Sequence, residues 1–208
     1  MAPEVSFRAA TRADAAALAV LVDIAGEGMP AYMWSTLAEP GQSVLELGRE
    51  RAGRDSGGGF SWKNAVVAEV DGEVAAGLVG YRLDDPYDLS LLAEIPPIVQ
   101  PLVKLEAKAP GSWYVNVLAT FPEFRGLGIA TTLLEIAENN ASDAEASALS
   151  VIVASWNEEA GRLYRRAGYE AVATEPAIPF PGCPHAGDWV LMVKSLANGA
   201  SRRSQKPQ

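Results

Sequence analysis

The chain has 208 residues, 49% hydrophobic and 21% charged, with a net charge of −9 and a single cysteine, Cys183. Such a length and apolar share suit one globular domain with a substantial core; the negative balance argues against nucleic acid, which asks for a basic surface; and one cysteine excludes an internal disulfide and fits a reducing compartment. No apolar run approaches the roughly 20 residues of a membrane span, and the first residues carry no basic-then-apolar leader, so no membrane partner is expected and the cytoplasm is the expected location.

Val5–Ala9 reads as a first strand. Thr11 with Asp14 makes a capping-box start, and Asp14–Ile24 follows as an alanine-rich amphipathic helix. Gly26, Gly28 and Pro30 break it. Ala31–Leu37 and Gln42–Arg51 read as two more helical pieces parted by Pro40-Gly41, and Ser56-Gly57-Gly58-Gly59 as a flexible loop. Tyr32, Met33 and Trp34 form an aromatic cluster within the first of these pieces. Ala65–Val70 and Glu73–Leu83 are strands joined by Asp71-Gly72, a strong hairpin signal. Asp84-Asp85-Pro86 ends the second strand. The stretch Tyr87–Gly111 that follows is proline-rich, with one helix expected around Leu102–Ala109.

Trp113–Ala119, β-branched and aromatic, predicts a buried strand, and Thr120–Phe124 a turn. Arg125-Gly126-Leu127-Gly128-Ile129-Ala130 then opens a helix whose apolar positions Ile129, Leu133, Leu134, Ile136 and Ala137 keep helical spacing. A strand that turns through glycines into a helix N-terminus is a device for holding anions, since the first N–H groups lack intrahelical partners and the macrodipole is positive there. The plain alternative, a tight turn that packs a helix on a sheet, stays open on these residues alone. A P-loop is excluded because no Gly-Lys-Ser or Gly-Lys-Thr occurs, and the dinucleotide pattern G-x-G-x-x-G is not matched. Arg125 adds a cation suited to a pyrophosphate.

Ala148–Ala154 is a continuous apolar run, as expected of a parallel strand buried on both faces, and completes a right-handed βαβ unit. Asn157 caps a further helix with Glu158 and Glu159 in its first turn and Arg162, Arg165 and Arg166 later, a distribution the macrodipole alone explains. Ala171–Thr174 and Trp189–Leu196 read as the last strands, joined by the proline-rich loop Pro176–Gly187; Ala197–Gln208 is polar and expected to be disordered.

Two blocks carry a family likeness. Arg125–Ala130 resembles the Q/R-x-x-G-x-G/A signature of the GNAT N-acetyltransferases, and Asn157–Tyr169 resembles their later N-x-x-A-x-x-L-Y-x-x-x-G-F/Y block, in the right order and at the usual distance. The resemblance is strong over Ser112–Tyr169. It implies an α/β fold: a mixed, mostly antiparallel sheet of six or seven strands with flanking helices and splayed central parallel strands. It also implies a single domain over residues 1–196, with residues 84–111 as an insertion that covers the substrate cleft or makes a dimer contact.

Acetyl-CoA is the implied co-substrate, with no metal. The backbone of Val117, Leu118 and Ala119 would hold the pantetheine arm and face the acyl oxygen, Arg125, Gly126, Leu127, Gly128, Ile129 and Ala130 the pyrophosphate, and Asn157 the cofactor. Tyr164 matches the family's tyrosine acid, which protonates the departing sulfur. A buried structural tyrosine and simple capping remain the alternatives for Tyr164 and Asn157.

The general base is left open. Asn116 sits where some relatives carry a glutamate; an amide takes no proton but can orient a water. Asp84 and Asp85 follow the third strand, Glu123 is expected near the phosphate loop, and His185, the only histidine, lies in a loop that could fold over the acceptor site. Cys183 as an acyl carrier has no supporting histidine arrangement. Tyr32, Trp34, Asp84 and His185 are the candidate acceptor contacts. The expected reaction is direct transfer of an acetyl group to a primary amine of a small molecule. A CoA-binding regulatory or sensor module, a protein N-terminal or lysine acetyltransferase, and an interaction protein without cofactor are the alternatives, and a homodimer is an open expectation.

Overall fold

A computed structural model describes residues 3–55 and 59–196. Residues 56–58 of the loop expected at Ser56–Gly59 and the tail at Ala197–Gln208 therefore lie outside the described residues.

The elements are β1 (Val5–Ala9), α1 (Ala15–Ala25), α2 (Met29–Ser35), α3 (Val44–Ala52), β2 (Ala65–Val70), β3 (Glu73–Arg82), α4 (Gln100–Glu106), β4 (Trp113–Thr120), α5 (Ile129–Asp143), β5 (Ala148–Ala154), α6 (Glu158–Arg166), β6 (Glu170–Pro176) and β7 (Asp188–Ser195). They build one seven-stranded sheet in the order β1-β2-β3-β4-β5-β7-β6. Every neighbouring pair is antiparallel except β4 and β5.

That one parallel pair positions everything else. It joins Trp113–Val115 to Leu149–Val151 and stops, although β4 runs on to Thr120 and β5 to Ala154. The cause lies on the other edge of β4. Val79 faces Val117 and Gly80 faces Val115, so Asn116 is an extra residue, a β-bulge. A bulge bends its strand and raises the local twist, here turning β4 away from β5. It also resets the alternation: Val115 and Leu118 pack on the α5 side, whereas Val117 packs on the α1 and α3 side. The sheet forks.

Three apolar clusters hold the fork in place. Ile129, Leu133, Leu134 and Ala137 of α5 pack with Val115, Leu149 and Met192 on one face. Leu18, Ala19 and Val22 of α1 and Leu47 of α3 cover Val67, Val79 and Val117 on the other. Met29 of α2, Leu105 of α4, Phe180 and Trp189 close the end beyond β5. Each large side chain buried this way contributes roughly 1.5–3 kcal/mol.

Some boundaries differ from expectation for local reasons. The second helix begins at Met29 rather than Ala31, because Gly28 (φ +81°) turns into it and Pro30 sits in the first turn, where a missing N–H costs nothing. The insertion helix spans Gln100–Glu106, not Leu102–Ala109: Pro101 likewise starts it early, and the N–H groups of Lys108 and Ala109 reach back only three residues, to Leu105 and Glu106, which tightens the end into a 3-10 turn. Thr120 belongs to β4 rather than to the turn after it.

Candidate active site

The chain leaves β4 through a 3-10 turn at Pro122–Phe124 and enters α5 through Gly126 (φ +83°) and Gly128 (φ +78°). Both φ values lie where side chains with a Cβ are strained, and nothing lies within 4 Å of where a Cβ would stand. The backbone is open to a ligand there. The N–H groups of Thr131 and Thr132 both donate to the Gly128 carbonyl, at 3.0 and 3.3 Å. Those of Ile129 and Ala130 precede them and have no intrahelical acceptor.

From this turn a cleft of about 340 Å³ crosses to α6. One bank is Leu118–Thr120 of β4 with Phe124, Arg125, Gly126 and Gly128–Thr131; the other is Asn157, Glu159, Ala160, Leu163, Tyr164 and Arg166. Two guanidinium-bearing residues, Arg125 and Arg166, thus line opposite banks beside a helix N-terminus. Bare N–H groups, a positive dipole end and two cations are the chemistry a diphosphate requires, and the residues present fit the diphosphate of a CoA thioester.

The cleft continues into the fork. A recess of about 60 Å³ between β4 and β5 shares Leu118, Asn157, Ala160 and Tyr164 with it, and adds Ile24, Ala25, Glu27, Val115, Asn116 and residues 151–154. Tyr164 is 5% exposed, and its ring meets that of Tyr169 edge-on at 5.7 Å. No group among the described residues hydrogen-bonds its hydroxyl, and burial raises its pKa above the ordinary phenol value, so it stays protonated. Asn157 Oδ1 accepts the Ala160 N–H at 3.1 Å, the cap of α6, while its Nδ2 donates to Glu27 Oε1 at 2.6 Å. The other Glu27 oxygen accepts the Trp156 indole N–H at 3.4 Å. Asn116 Nδ2 donates to the Gly59 carbonyl at 2.6 Å.

A sequence model described as the acetyltransferase (GNAT) family matches residues 33–169. The chain belongs to that family. Membership makes it an acyl-CoA-dependent N-acyltransferase of the acetyltransferase kind, and the family uses acetyl-CoA. Among solved structures, one described as an acetyltransferase is 23% identical, with a TM-score of 0.64 over 92% of this chain and 100% of the other. A mutant agmatine N-acetyltransferase in its apo form is 19% identical, TM-score 0.65, over 92% and 99%. The Drosophila melanogaster polyamine N-acetyltransferase, described as forming N-acetylagmatine, is 18% identical, TM-score 0.63, over 93% and 100%. At these identities the likeness is one of fold, and the forked, mostly antiparallel sheet agrees with it. No curated protein matches the chain.

Within this GNAT domain the expected site residues separate. Leu118, Ala119, Arg125, Gly126, Gly128, Ile129, Ala130, Asn157 and Tyr164 line the cleft together, and Asn116 lines the recess. The Val117 side chain packs on the opposite face of the sheet, and Leu127 is 46% exposed outside both cavities. Trp34 is a correction: it is 2% exposed in the core against α3, its ring lying over Gly48, and lines neither cavity. Residues two apart on a helix point to nearly opposite sides, so Tyr32 faces the other way and stacks on Phe180 at 5.5 Å.

Asp84 is exposed just beyond β3 and lines neither cavity, and its carbonyl accepts the Gly111 N–H. His185 is exposed and stacks on Trp156 at 5.8 Å, next to the indole that Glu27 binds. Cys183 Sγ lies 3.6 Å from the His185 carbonyl rather than its imidazole.

Glu27, Leu163 and Arg166 line the site without having been picked from the sequence. Leu163 and Arg166 lie at i, i+3 across Asn157's helix, a signal hidden because the macrodipole already explained the arginine. In the insertion, Glu106 carries a half-buried carboxylate to which the Tyr87 hydroxyl donates at 2.5 Å. Burial raises its pKa, and Tyr81 and Tyr114 pack beside it edge to face at 5.9 Å.

Proposed function

We propose that this GNAT acetyltransferase moves the acetyl group of acetyl-CoA onto the primary amine of a small molecule, by direct attack while both are bound. The observation that carries the reading is the continuity of the two cavities: an anion cradle at Gly126–Ala130 opens into a recess at the strand fork, and Tyr164 lines both.

Acetyl-CoA, when bound, supplies an acetyl thioester. Arg125, Arg166 and the N–H groups of α5's first turn would hold its diphosphate. Strand β4 beyond Val115 has left β5, so the edge of Val117, Leu118 and Ala119 is free to hold the pantetheine and face the acyl oxygen. Donors so placed are worth roughly 2.7–4 kcal/mol each in acyl transfer. Tyr164, kept protonated by burial, gives its proton to the departing sulfur.

A cationic acceptor fits the electrostatics. Net charge is −9, and among the described residues neither Glu27 nor Glu106 pairs with a cation. Two similar folds are named for agmatine and polyamine acetylation. A single cysteine supports a cytoplasmic setting.

Thermal unfolding tests the reading, with acetyl-CoA, ATP and NAD compared at equal concentration. A ligand at about 100 times its Kd adds about 2.7 kcal/mol, which moves the midpoint by a few degrees. Acetyl-CoA alone is expected to do so, and Gly128→Asp, which sets a charge and a Cβ in the cradle, to abolish the shift. An unmoved midpoint at saturating acetyl-CoA would sink the proposal.

A further inference from the structure

We propose that Glu27 is the general base: its carboxylate takes the proton from the acceptor ammonium. The inference rests on the transferase reading and supplies the group that the sequence left unassigned.

Glu27 lies in the turn between α1 and α2 with φ +57°, a left-handed conformation that a residue with a Cβ adopts only under constraint. The constraint is visible. Both carboxylate oxygens reach across the fork to α6's N-terminal region, one to Asn157 and one to Trp156. Both donors are neutral, so the carboxylate is fixed in place without a cation to neutralise it. It lines the recess with Asn116 and Tyr164, and among the described residues no other carboxylate does. A recess of about 60 Å³ holds about two waters or the amino end of a ligand.

The competing acids fail on position. Asp84, Asp85 and Glu123 line neither cavity, and Glu159 lines only the outer cleft. Asn116 occupies the strand position facing Glu27's recess, but an amide takes up no proton. The titratable groups around Glu27 are Tyr164 from α6, Asp23 in the last turn of α1, whose carboxylate accepts the Ala31 N–H, and His185, stacked on the Trp156 indole.

In the step, the ammonium gives one proton to Glu27, which passes it to solvent. The freed nitrogen lone pair forms the C–N bond, the C–S bond breaks with its electron pair on sulfur, and Tyr164 protonates that sulfur. The second proton that nitrogen loses restores the Tyr164 hydroxyl.

The test compares wild type, Glu27→Gln and Glu27→Asp by thiol release with putrescine, agmatine and benzylamine across pH, alongside the thermal shift given by acetyl-CoA. Gln keeps the size and one acceptor oxygen; Asp keeps the charge. For Glu27→Gln, kcat/KM is expected to fall about 100-fold or more near neutral pH. The deficit should shrink as pH nears the amine's own pKa, since the amine then arrives already neutral, while the acetyl-CoA shift persists. Glu27→Asp should recover part of the rate. A Gln variant within threefold of wild type overturns the assignment. So does a loss that is uniform across pH, or one accompanied by loss of the acetyl-CoA shift, because either marks a purely structural tie to Asn157. A wild-type protein that releases no thiol with any of the amines overturns the transferase reading itself.

Discussion

At the scale of single residues, Tyr164 shows how far burial alone can set chemistry. Removing it from water disfavours the phenolate, so the hydroxyl remains a donor through neutral pH. Its ring is held edge-on by Tyr169, a contact that phenylalanine would keep. Tyr164→Phe is therefore expected to leave the unfolding midpoint and the acetyl-CoA shift unchanged and to lower kcat by about 100-fold, the low end for general acids because a thiolate leaves readily. Unaltered kcat would remove Tyr164 from the mechanism.

Tyr164 could be singled out from the sequence because a tyrosine about two turns into a motif helix needs no partner to be noticed. Glu27 was not legible. Its place depends on a left-handed turn that reaches residues about 130 positions away, and nothing local in Gly26-Glu27-Gly28 announces that. Trp34 was misread for the opposite reason: sequence proximity to Tyr32 grouped two side chains that helical geometry sends to different cores.

At the scale of elements, alternation and turn chemistry carried most of the reading. The hairpin β2–β3 turns at Asp71 and Gly72, both with positive φ, as the Asp-Gly pair implies. The fork was legible only through family likeness. Its cause is one extra residue at Asn116, and an apolar run looks the same with or without a bulge.

Helix packing shows a similar hidden constraint. Gly48 lies within α3, where glycine costs about 1 kcal/mol relative to alanine, yet a Cβ there would stand 2.5 Å from Trp34 Cζ3 and 2.8 Å from Cε3. The close approach of α2 to α3 requires the glycine. Gly48→Ala is expected to destabilise by about 1–3 kcal/mol despite better helix propensity, and a second change, Trp34→Leu, to relieve part of the strain in a double-mutant cycle. A stability gain from Gly48→Ala, read by chemical denaturation, would show that the indole moves aside freely.

At the scale of the whole molecule, the sheet is two halves joined by three residue pairs. Strands β1–β4 with α1, α3 and α5 form one half, and β5–β7 with α6 the other. No single helix among the described residues is long and apolar enough to cross a membrane. The cleft takes its lining from both halves: β4 and the first turn of α5 on one side, α6 on the other. A ligand lying there bridges groups that the backbone ladder no longer connects, and binding should tighten the junction as well as the pocket. Amide hydrogen exchange can separate the two effects, because local openings report the stability of each unit.

With saturating acetyl-CoA, protection is expected to rise together in Leu118–Thr120, in the start of α5 and in α6, and also in Leu149–Val151, which lines the junction but only in part the recess. Protection confined to Gly126–Ala130 would mean that the ligand sits on the cradle alone and leaves the fork open. In that case the recess holding Glu27 and Tyr164 would not be where the acyl group is delivered.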